Sequence, residues 1–204
     1  LQLDYIPNDK TLIKNIFKVL PGQLIKFANN TITKKQYYIA NQNKKLDISL
    51  DEATNNLDSL LLDSVKDRLV ADVPVGVFLS GGIDSSLIAY YAKKLDSNIQ
   101  SFTIKMENNS YDESEYAKLV AKKLNIKNNI AKFNNNEIIK SLEFIEEKMD
   151  EPLGDPSILP TFLLSQFTKE HVKVALSGDG ADELFFGYTP FKSIKYLKYL
   201  SLLP

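Results

Sequence analysis

The sequence predicts an α/β fold in which a parallel twisted sheet carries helices on both faces and follows a short β-rich N-terminal appendage. Short apolar runs of strand composition alternate with segments of helical periodicity from residue 50 onward. Two of these runs, at residues 75–79 and 172–176, end in glycine-containing turns with acidic residues just behind them. Strands that alternate with helices pair in parallel through right-handed crossovers, so this order predicts a parallel sheet.

The composition is that of an ordinary globular protein and excludes several classes. Hydrophobic residues make up 44% and charged residues 25% of the 204 positions, and a net charge of −1 leaves no basic surface for nucleic acid. No apolar run approaches the roughly 18 residues that a membrane-spanning helix needs. With no cysteine and a single histidine, His171, a thiolate metal site and a Ser-His-Asp triad are excluded. We expect a cytoplasmic protein with His171 at its surface.

The N-terminal appendage covers residues 1–40, where short apolar stretches alternate with turn residues. Asn29 and Asn30 predict the turn of a β-hairpin, and the polar residues 41–48 are typical of a linker. We expect this segment to belong to a neighbouring module, because it is too short to fold alone. The chain begins at Leu1 without an initiator methionine, so we expect a piece of a longer protein.

The rest of the chain alternates between strands and helices. The predicted strands cover 75–79, 99–104, 129–133 and 172–176, and the predicted helices cover 50–70, 84–95, 112–124, 137–149, 155 or 157 to 168, and 190–200. Ser49 and Glu52 predict a capping box at the start of the first helix. Periodicity assigns the inner faces of the third and fourth helices to Tyr116, Leu119, Val120 and Leu124 and to Ile138, Ile139, Leu142, Ile145 and Met149.

The turn after the first sheet strand, at residues 80–86, has the chemistry of an anion site. Gly81 and Gly82 allow a tight turn with free backbone N–H groups, next to the positive end of the helix that follows. Further hydroxyl donors are Ser80, Ser85 and Ser86. The carboxylate of Asp84 would repel a phosphate, and a divalent metal such as Mg²⁺ between the two removes that conflict. A purely structural turn is the alternative.

Residues 177–183 repeat this arrangement behind the last predicted strand, with two glycines and three acidic residues. The carboxyl ends of parallel strands meet at one edge of a sheet, so we expect Asp84, Asp179 and Asp182 to face one crevice. Two or three carboxylates there would bind Mg²⁺ and orient a triphosphate. A carboxylate that does not bind the metal would act as a general base or contact a substrate amine. The alternative assigns Asp182 and Glu183 to stabilising the N-terminus of a helix.

Four motifs in this order resemble those of a known family. They are Ser-Gly-Gly-Ile-Asp-Ser-Ser at 80–86, Ser-Phe-Thr-Ile at 101–104, Asp-Glu-Pro through Asp-Pro-Ser at 150–157, and Ser-Gly-Asp-Gly-Ala-Asp-Glu-Leu-Phe at 177–185. Together they resemble the synthetase domain of glutamine-dependent asparagine synthetases. The resemblance implies a HUP-like fold of the PP-loop ATP pyrophosphatase type. It divides the chain into the tail of a glutaminase-type domain with linker strands, at 1–40, and the N-terminal part of an ATP-binding synthetase domain, at 41–204.

The resemblance also implies a reaction and a role for each site residue. In that family the side-chain carboxylate of aspartate attacks the α-phosphate of MgATP and releases pyrophosphate, and ammonia from glutamine converts the β-aspartyl adenylate to asparagine. By position, residues 80–86 would hold the pyrophosphate, and Asp179 would act near the substrate amine or as a base. Asp84 and Asp182 would hold Mg²⁺. The adenosine pocket would be lined by Leu79, Ile104, Ser177 and Gly178.

The chain departs from the family pattern in two ways. Phe186 stands where the family has the first glycine of Leu-Phe-Gly-Gly-Tyr, so a different substrate choice stays open. The family's N-terminal cysteine nucleophile and its downstream adenylation lysine are absent, so we expect this polypeptide alone to bind nucleotide at most. A homodimer stays open as its assembly.

Two other functions stay open on sequence grounds. The first is adenylation of another carboxylate, because β-lactam synthetases, lasso-peptide cyclases and amidotransferases acting on sugars resemble this chain in the same loops. Asp179 argues against the β-lactam branch, which has tyrosine there. The second is a nucleotide-binding or regulatory module without turnover, for which Phe186 and the short chain are the support.

Overall fold

The computed structural model describes residues 5–39, 45–106, 112–151 and 153–191. Within these residues the strands are β1 (Gln23–Ala28), β2 (Thr31–Gln36), β3 (Val75–Phe78), β4 (Gln100–Lys105), β5 (Lys127–Lys132) and β6 (Val174–Leu176). The helices are α1 (Leu50–Arg68), α2 (Ile83–Leu95), α3 (Ser114–Leu124), α4 (Asn135–Lys148), α5 (Ile158–Thr168) and α6 (Ala181–Phe185). None of these described helices is long and apolar enough to cross a membrane. Most of the predicted last helix, part of the predicted linker and Pro152 of the third motif lie outside the described residues.

The central feature is a parallel sheet in the order β5–β4–β3–β6. Val77 of β3 pairs with Ser101 of β4 on one side and with Leu176 of β6 on the other. The pairing of β4 with β5 is also parallel. The carboxyl ends of β3, β4 and β6 therefore lie at the same edge of the sheet, where the loops at 79–82 and 177–180 begin. The predicted parallel α/β class is confirmed.

One face of the sheet packs against α1, α2 and α3 in the main hydrophobic core. Val77, Leu79 and Leu176 lie in this core with small residues from the two nearer helices. These are Ala89 and Ala92 of α2 and Ala117 and Ala121 of α3, each at most 3% exposed. Because alanine is short, the helix backbones approach the strands closely on this side.

The opposite face of the sheet packs against α5. Phe102 of β4 is fully buried there, with its ring 6.1 Å from that of Phe167 and 5.5 Å from the stacked ring of His171. Gly76 makes room for it, since a Cβ at this glycine would lie 2.5 Å from Phe102 Cε2. Helices therefore cover both faces, as predicted. His171 is exposed, as expected, and one side of its ring packs on Phe102.

The inner face predicted for α3 is partly wrong. Tyr116 and Leu119 are 67% and 55% exposed, whereas Ala117 and Ala121 are buried. The reason is the close contact between the first turn of α3 and Gly81, where a Cβ would lie 2.6 Å from the helix backbone. A helix held that close to its neighbours turns its alanines inward and its bulky side chains outward.

The inner face predicted for α4 is also partly wrong. Ile145 is buried, but Ile139 and Leu142 are 54% and 46% exposed. The reason is the position of α4, which packs mainly on α5 rather than on the sheet, so only a narrow stripe of it is covered. Asn134 and Glu137 form a reciprocal capping box at its start. At α1 Ser49 accepts from the Glu52 amide at 3.1 Å, which is half of the predicted box.

The N-terminal appendage forms the predicted hairpin. Asn29 and Asn30 at its tip have φ of +50° and +57°, the left-handed conformation that a two-residue hairpin turn requires. Lys18 Nζ lies 2.7 Å from Glu151 Oε2, which connects this segment to the loop after α4. The hairpin leaves Phe27 69% exposed. Its assignment to a neighbouring module stays a prediction.

Candidate active site

A cleft of about 710 Å³ opens at the carboxyl edge of the sheet, between the ends of β3, β4 and β6 and the first turns of α5. Small-molecule sites in proteins typically have volumes of about 300–1,000 Å³. Nine residues predicted for the site line the cleft: Leu79, Ser80, Gly82, Asp84, Ser85, Ile104, Ser177, Gly178 and Asp179. The other predicted residues, Gly81, Ser86 and Asp182, lie outside its lining.

The first loop is shaped by its two glycines. Gly81 has φ +90°, and a Cβ there would lie 2.6 Å from backbone atoms of Tyr116 and Ala117 in α3. Both the backbone angle and the contact favour glycine at this position. Gly82 then takes the N-cap position of α2 with extended backbone. The pair turns the chain from β3 into α2 while the loop lies against α3.

Two serines close this loop with hydrogen bonds. Ser80 Oγ lies 3.0 Å from Ser85 Oγ and accepts from the Gly82 amide at 3.2 Å. Ser85 Oγ donates to the Gly82 carbonyl at 3.2 Å and accepts from the Ser80 amide at 3.3 Å. Ser86 differs, because its hydroxyl is buried without a hydrogen-bond partner among the described residues. The hydroxyls that line the cleft from this loop are therefore those of Ser80 and Ser85.

The second loop carries an oriented carboxylate. Ser177 Oγ donates to Asp179 Oδ2 at 2.9 Å, and the Asp179 amide lies 3.4 Å from the same hydroxyl. Gly180 follows with φ +89° and turns the chain into α6. The Asp179 side chain stands exposed at the cleft, with one of its oxygens held by the loop itself.

The two loops touch each other. A Cβ at Gly178 would lie 3.0 Å from both Asp84 Cβ and the Ser85 nitrogen. The absence of a side chain at Gly178 thus lets the second loop rest on the first turn of α2. Asp84 and Asp179 consequently line one cleft, although they are almost a hundred residues apart in the chain.

Asp182 lies behind this contact, in the first turn of α6. The Gly187 amide donates to its backbone carbonyl at 3.0 Å, and a Cβ at Gly187 would overlap its Oδ1. Tyr188 donates to Glu183 at 2.7 Å. That hydrogen bond, desolvation and the charges of Glu183, Asp182 and Asp155 raise the pKa of Tyr188 to about 12. Ser157 of the third motif lines the same cleft as Ser177 and Gly178, so this motif lies near the second loop.

The charge of the cleft is negative. Its ionisable lining residues among those described are the carboxylates Asp84, Glu113 and Asp179. Within the described residues, no three or more histidine, aspartate or glutamate side chains are grouped to hold a metal ion. Mg²⁺ bound with phosphates needs only one or two protein carboxylates, since phosphate and water oxygens complete its shell. Asp84 lines the cleft and has the oxygen ligands that this ion prefers, whereas Asp182 lies outside the lining.

Sequence reasoning missed several residues that line the cleft. Glu113 precedes α3, and Thr103 and Met106 flank the predicted Ile104 at the end of β4. The third motif contributes Ser157, whose amide donates to Asp155 Oδ1 at 2.8 Å. The rule that ligands bind at the carboxyl ends of strands would have pointed to Glu113, which follows β4. No sequence pattern pointed to the α5 residues that line the cleft, which are Pro160, Thr161 and Leu164.

The family of the chain follows from its match to a family model. The family model described as asparagine synthase matches residues 56–202. The chain belongs to the asparagine synthase family. This confirms the family expected from the four sequence motifs.

Three curated relatives each match at least 90% of this chain. "Asparagine synthetase [glutamine-hydrolyzing] 1" of Bacillus subtilis (strain 168) is 36% identical over 205 residues, covering 100% of this chain and 32% of the relative. A putative glutamine-hydrolyzing asparagine synthetase of Mycobacterium tuberculosis (strain ATCC 25618 / H37Rv) is 32% identical over 212 residues, covering 99% and 32%. "Amidase chyE" of Penicillium rubens is 31% identical over 204 residues, covering 90% and 30%. The chain thus spans about a third of the length of these relatives.

Two solved structures are similar to part of this chain. One is the NH3-dependent NAD synthetase from Campylobacter jejuni, with a TM-score of 0.42 and 21% identity over 69% of this chain and 61% of that chain. The other is the glutamine-dependent NAD+ synthetase from Acinetobacter baumannii in complex with ADP. Its TM-score is 0.45, with 20% identity over 80% of this chain and 31% of that chain.

Proposed function

We propose that this chain is the nucleotide-binding core of an ATP-dependent ligase that adenylates the side-chain carboxylate of aspartate for attack by ammonia. Membership of the asparagine synthase family supports the proposal. The observation that carries it is the contact of Gly178 with Asp84 and Ser85. This contact unites both motif loops around one cleft, as a triphosphate with its metal requires.

The cleft offers different chemistry to the two ends of ATP. Ile104 gives an apolar surface for adenosine, with Ser177 and Gly178 beside it. Leu79 borders the same end of the cleft, although its side chain is buried in the core. Residues 80–86 lead into the N-terminus of α2, whose free amides and positive dipole end favour the pyrophosphate. Ser80 and Ser85 add hydroxyl donors there.

A divalent cation belongs to this proposal, because the cleft and the nucleotide are both negative. Asp84 and Asp182 would hold Mg²⁺, which would supply positive charge to neutralise the phosphates. A bare triphosphate beside Asp84, Glu113 and Asp179 would be repelled. Adenylation needs mainly positioning and charge neutralisation, which a carboxylate-lined site with a bound cation supplies.

The proposed reaction has two displacement steps. An oxygen of the aspartate carboxylate bonds to the α-phosphorus as the bond to the bridging α–β oxygen breaks, which releases pyrophosphate and leaves β-aspartyl-AMP. Ammonia then bonds to the acyl carbon, AMP leaves, and one proton is released. Asp179, oriented by Ser177, would hold the substrate amine or accept that proton.

The remaining partners extend this proposal. Glutamine would supply the ammonia through a glutaminase domain of a longer parent protein, and residues 1–40, which include the exposed hairpin at 23–36, would be its tail with linker strands. Two curated relatives are named as glutamine-hydrolyzing asparagine synthetases, which supports glutamine as the source of ammonia. A cytoplasmic location agrees with the lack of cysteine.

A second candidate function is the adenylation of another carboxylate. Two observations support this candidate. The chain is similar to a protein named as an amidase, and Phe186 stands where the family has glycine.

The test is aspartate-dependent release of pyrophosphate from MgATP by the parent protein, with Asp84→Ala as the control. We expect release with aspartate and loss of at least about tenfold in the variant, since the variant removes a metal ligand. Release with a different carboxylate but not with aspartate would select the second candidate. ATP turnover unaffected by Asp84→Ala would contradict the proposal.

A further inference from the structure

The strand that feeds the first loop is held at its end by a side chain. The Leu79 amide donates to the Phe102 carbonyl at 2.9 Å, in the manner of a strand residue. The Leu79 carbonyl instead accepts from Thr103 Oγ1 at 2.7 Å. Thr103 is only 3% exposed, yet it borders the cleft. A buried hydroxyl thus caps the last carbonyl of the strand before Ser80.

The hydroxyl of Thr103 is itself fixed from behind. The side-chain oxygen of Asn128 on β5, Oδ1, accepts from Ser101 Oγ at 3.1 Å and lies 3.1 Å from Thr103 Oγ1. A threonine hydroxyl has one proton, and the shorter contact assigns it to the Leu79 carbonyl. Asn128 Oδ1 is the second acceptor within reach of that proton, at the longer distance. This buried network ties β5, β4 and the end of β3 together, so Thr103 has little rotational freedom.

The peptide unit between Leu79 and Ser80 transmits this constraint to the loop. A trans peptide is planar, so its carbonyl and its N–H point in opposite directions. Thr103 holds the carbonyl, and the N–H of the same unit is that of Ser80, which lies 3.3 Å from Ser85 Oγ. Fixing one end of the peptide therefore aims the first amide of the loop.

We propose that Thr103 is a positioning residue for the anion-binding loop 80–86. Its hydroxyl orients the Leu79–Ser80 peptide so that the Ser80 amide donates to Ser85 Oγ, which fixes the Ser80–Ser85 pair at the phosphate end of the cleft. This inference rests on the proposed function for its ligand, MgATP. Its structural content, the orientation of the Ser80 amide, stands independently of the nucleotide.

Three variants separate this role from ordinary core packing. Thr103→Val keeps the shape and removes the hydroxyl, whereas Thr103→Ser keeps the hydroxyl and removes a methyl group. Ser101→Ala is the matched control, because Ser101 is fully buried and joins the same network but does not line the cleft. All three variants lower stability, so thermal unfolding alone does not distinguish them.

The experiment measures MgATP affinity by calorimetry and hydrogen exchange of the Ser80 amide by NMR in the nucleotide-free chain. We expect Thr103→Val to weaken binding about tenfold and to speed exchange at Ser80, since an unsatisfied buried carbonyl destabilises that conformation. Thr103→Ser should restore both properties to within about threefold, and Ser101→Ala should leave both near wild type.

The outcomes separate this inference from the function on which it rests. Equal effects of Thr103→Val and Thr103→Ser, or unchanged exchange at Ser80 in Thr103→Val, would overturn the positioning role. If the wild-type chain and the parent protein both fail to bind MgATP while exchange at Ser80 still responds to Thr103→Val, the nucleotide assignment fails and the positioning role stands.

Discussion

The two motif loops look alike in sequence but differ in how firmly they are held. Residues 80–86 lead into α2, a helix of 13 residues that buries Ala89, Tyr91 and Ala92. Residues 177–183 lead into α6, which has 5 residues and buries none. Preorganised donors contribute most to binding where a site holds phosphates in one position. A loop that binds a metal and a second substrate tolerates more flexibility. We infer that the first loop, proposed to hold the phosphates, is the more rigid of the two and that the second depends on its neighbours for its shape.

The largest effect should come from comparing two glycines that share the same backbone angle. Gly81 and Gly180 have φ of +90° and +89°, but a Cβ would lie 2.6 Å from α3 at the first and meets nothing within 4 Å at the second. We expect Gly81→Ala to lower the free energy of unfolding by about 3 kcal/mol and Gly180→Ala by about 1 kcal/mol. Chemical denaturation of both variants measures this. Equal losses would show that both loops are equally free.

The next effect concerns Gly187, whose missing side chain leaves room for the Asp182 carboxylate. Gly187→Ala should displace that carboxylate and raise the Mg²⁺ concentration needed for half-maximal ATP binding by about tenfold. The control is Leu184→Ala, in the same short helix as Asp182 and 73% exposed, which should leave the Mg²⁺ requirement unchanged. A Gly187→Ala protein with normal Mg²⁺ dependence would exclude Asp182 as a ligand.

A third comparison uses the tyrosines behind the two loops. Tyr91 of α2 donates to Asp58 of α1 at 2.6 Å and is buried, whereas Tyr188 donates to Glu183 and is 45% exposed. We expect Tyr91→Phe to lower the free energy of unfolding at pH 7 by about 1 kcal/mol. Tyr188→Phe should have the smaller effect, because water replaces its partner. The reverse order would contradict the rigid support assigned to the first loop.

The pH dependence of stability tests the same tyrosine pair. Burial, followed by the hydrogen bond to Asp58 and its charge, raises the pKa of Tyr91 from 10.0 to about 12. A raised pKa means that the folded state prefers the neutral phenol, so its contribution is full below pH 10 and is lost as the pH rises towards 12. Denaturation of wild type and Tyr91→Phe across this interval should show that their difference shrinks. A constant difference would contradict the assignment.

The smallest effect should come from Phe186, which has φ +58° at the end of α6. Phe186→Gly should raise the free energy of unfolding by about 0.5 kcal/mol, because relief of the left-handed strain slightly exceeds the loss of its ring contact with Phe191. Phe185→Gly is the matched control and should be destabilising by about 1 kcal/mol, since Phe185 is helical. Destabilisation by Phe186→Gly would show that the ring contact stabilises the second loop more than the strain costs.

Local patterns were enough to predict the sheet and the position of both loops. Strands and helices follow local patterns of apolar residues along the chain. The apolar run before Gly81 and the helical spacing after it are two such patterns. The meeting of Asp84 with Asp179 followed from a general property of parallel sheets.

Contacts between residues far apart in the chain could not be predicted from the sequence. Hydrophobicity placed Tyr116 inside, but the approach of Gly81 to α3 determines which face turns inward. The hydrogen bond from Thr103 to Leu79 crosses between strands, so no spacing along the chain reveals it. The placement of Asp182 against Gly187 depends on a turn at Phe186, where a phenylalanine gives no signal for a left-handed residue.

The central claim is that both loops hold one metal–nucleotide complex, and a double-mutant cycle tests it most directly. MgATP affinity is measured by calorimetry for wild type, Asp84→Asn, Asp182→Asn and the double variant. Shared coordination predicts that each single variant weakens binding about tenfold or more and that the double variant is little worse than either. Fully additive losses, or a variant at either position that binds like wild type, would contradict a common site.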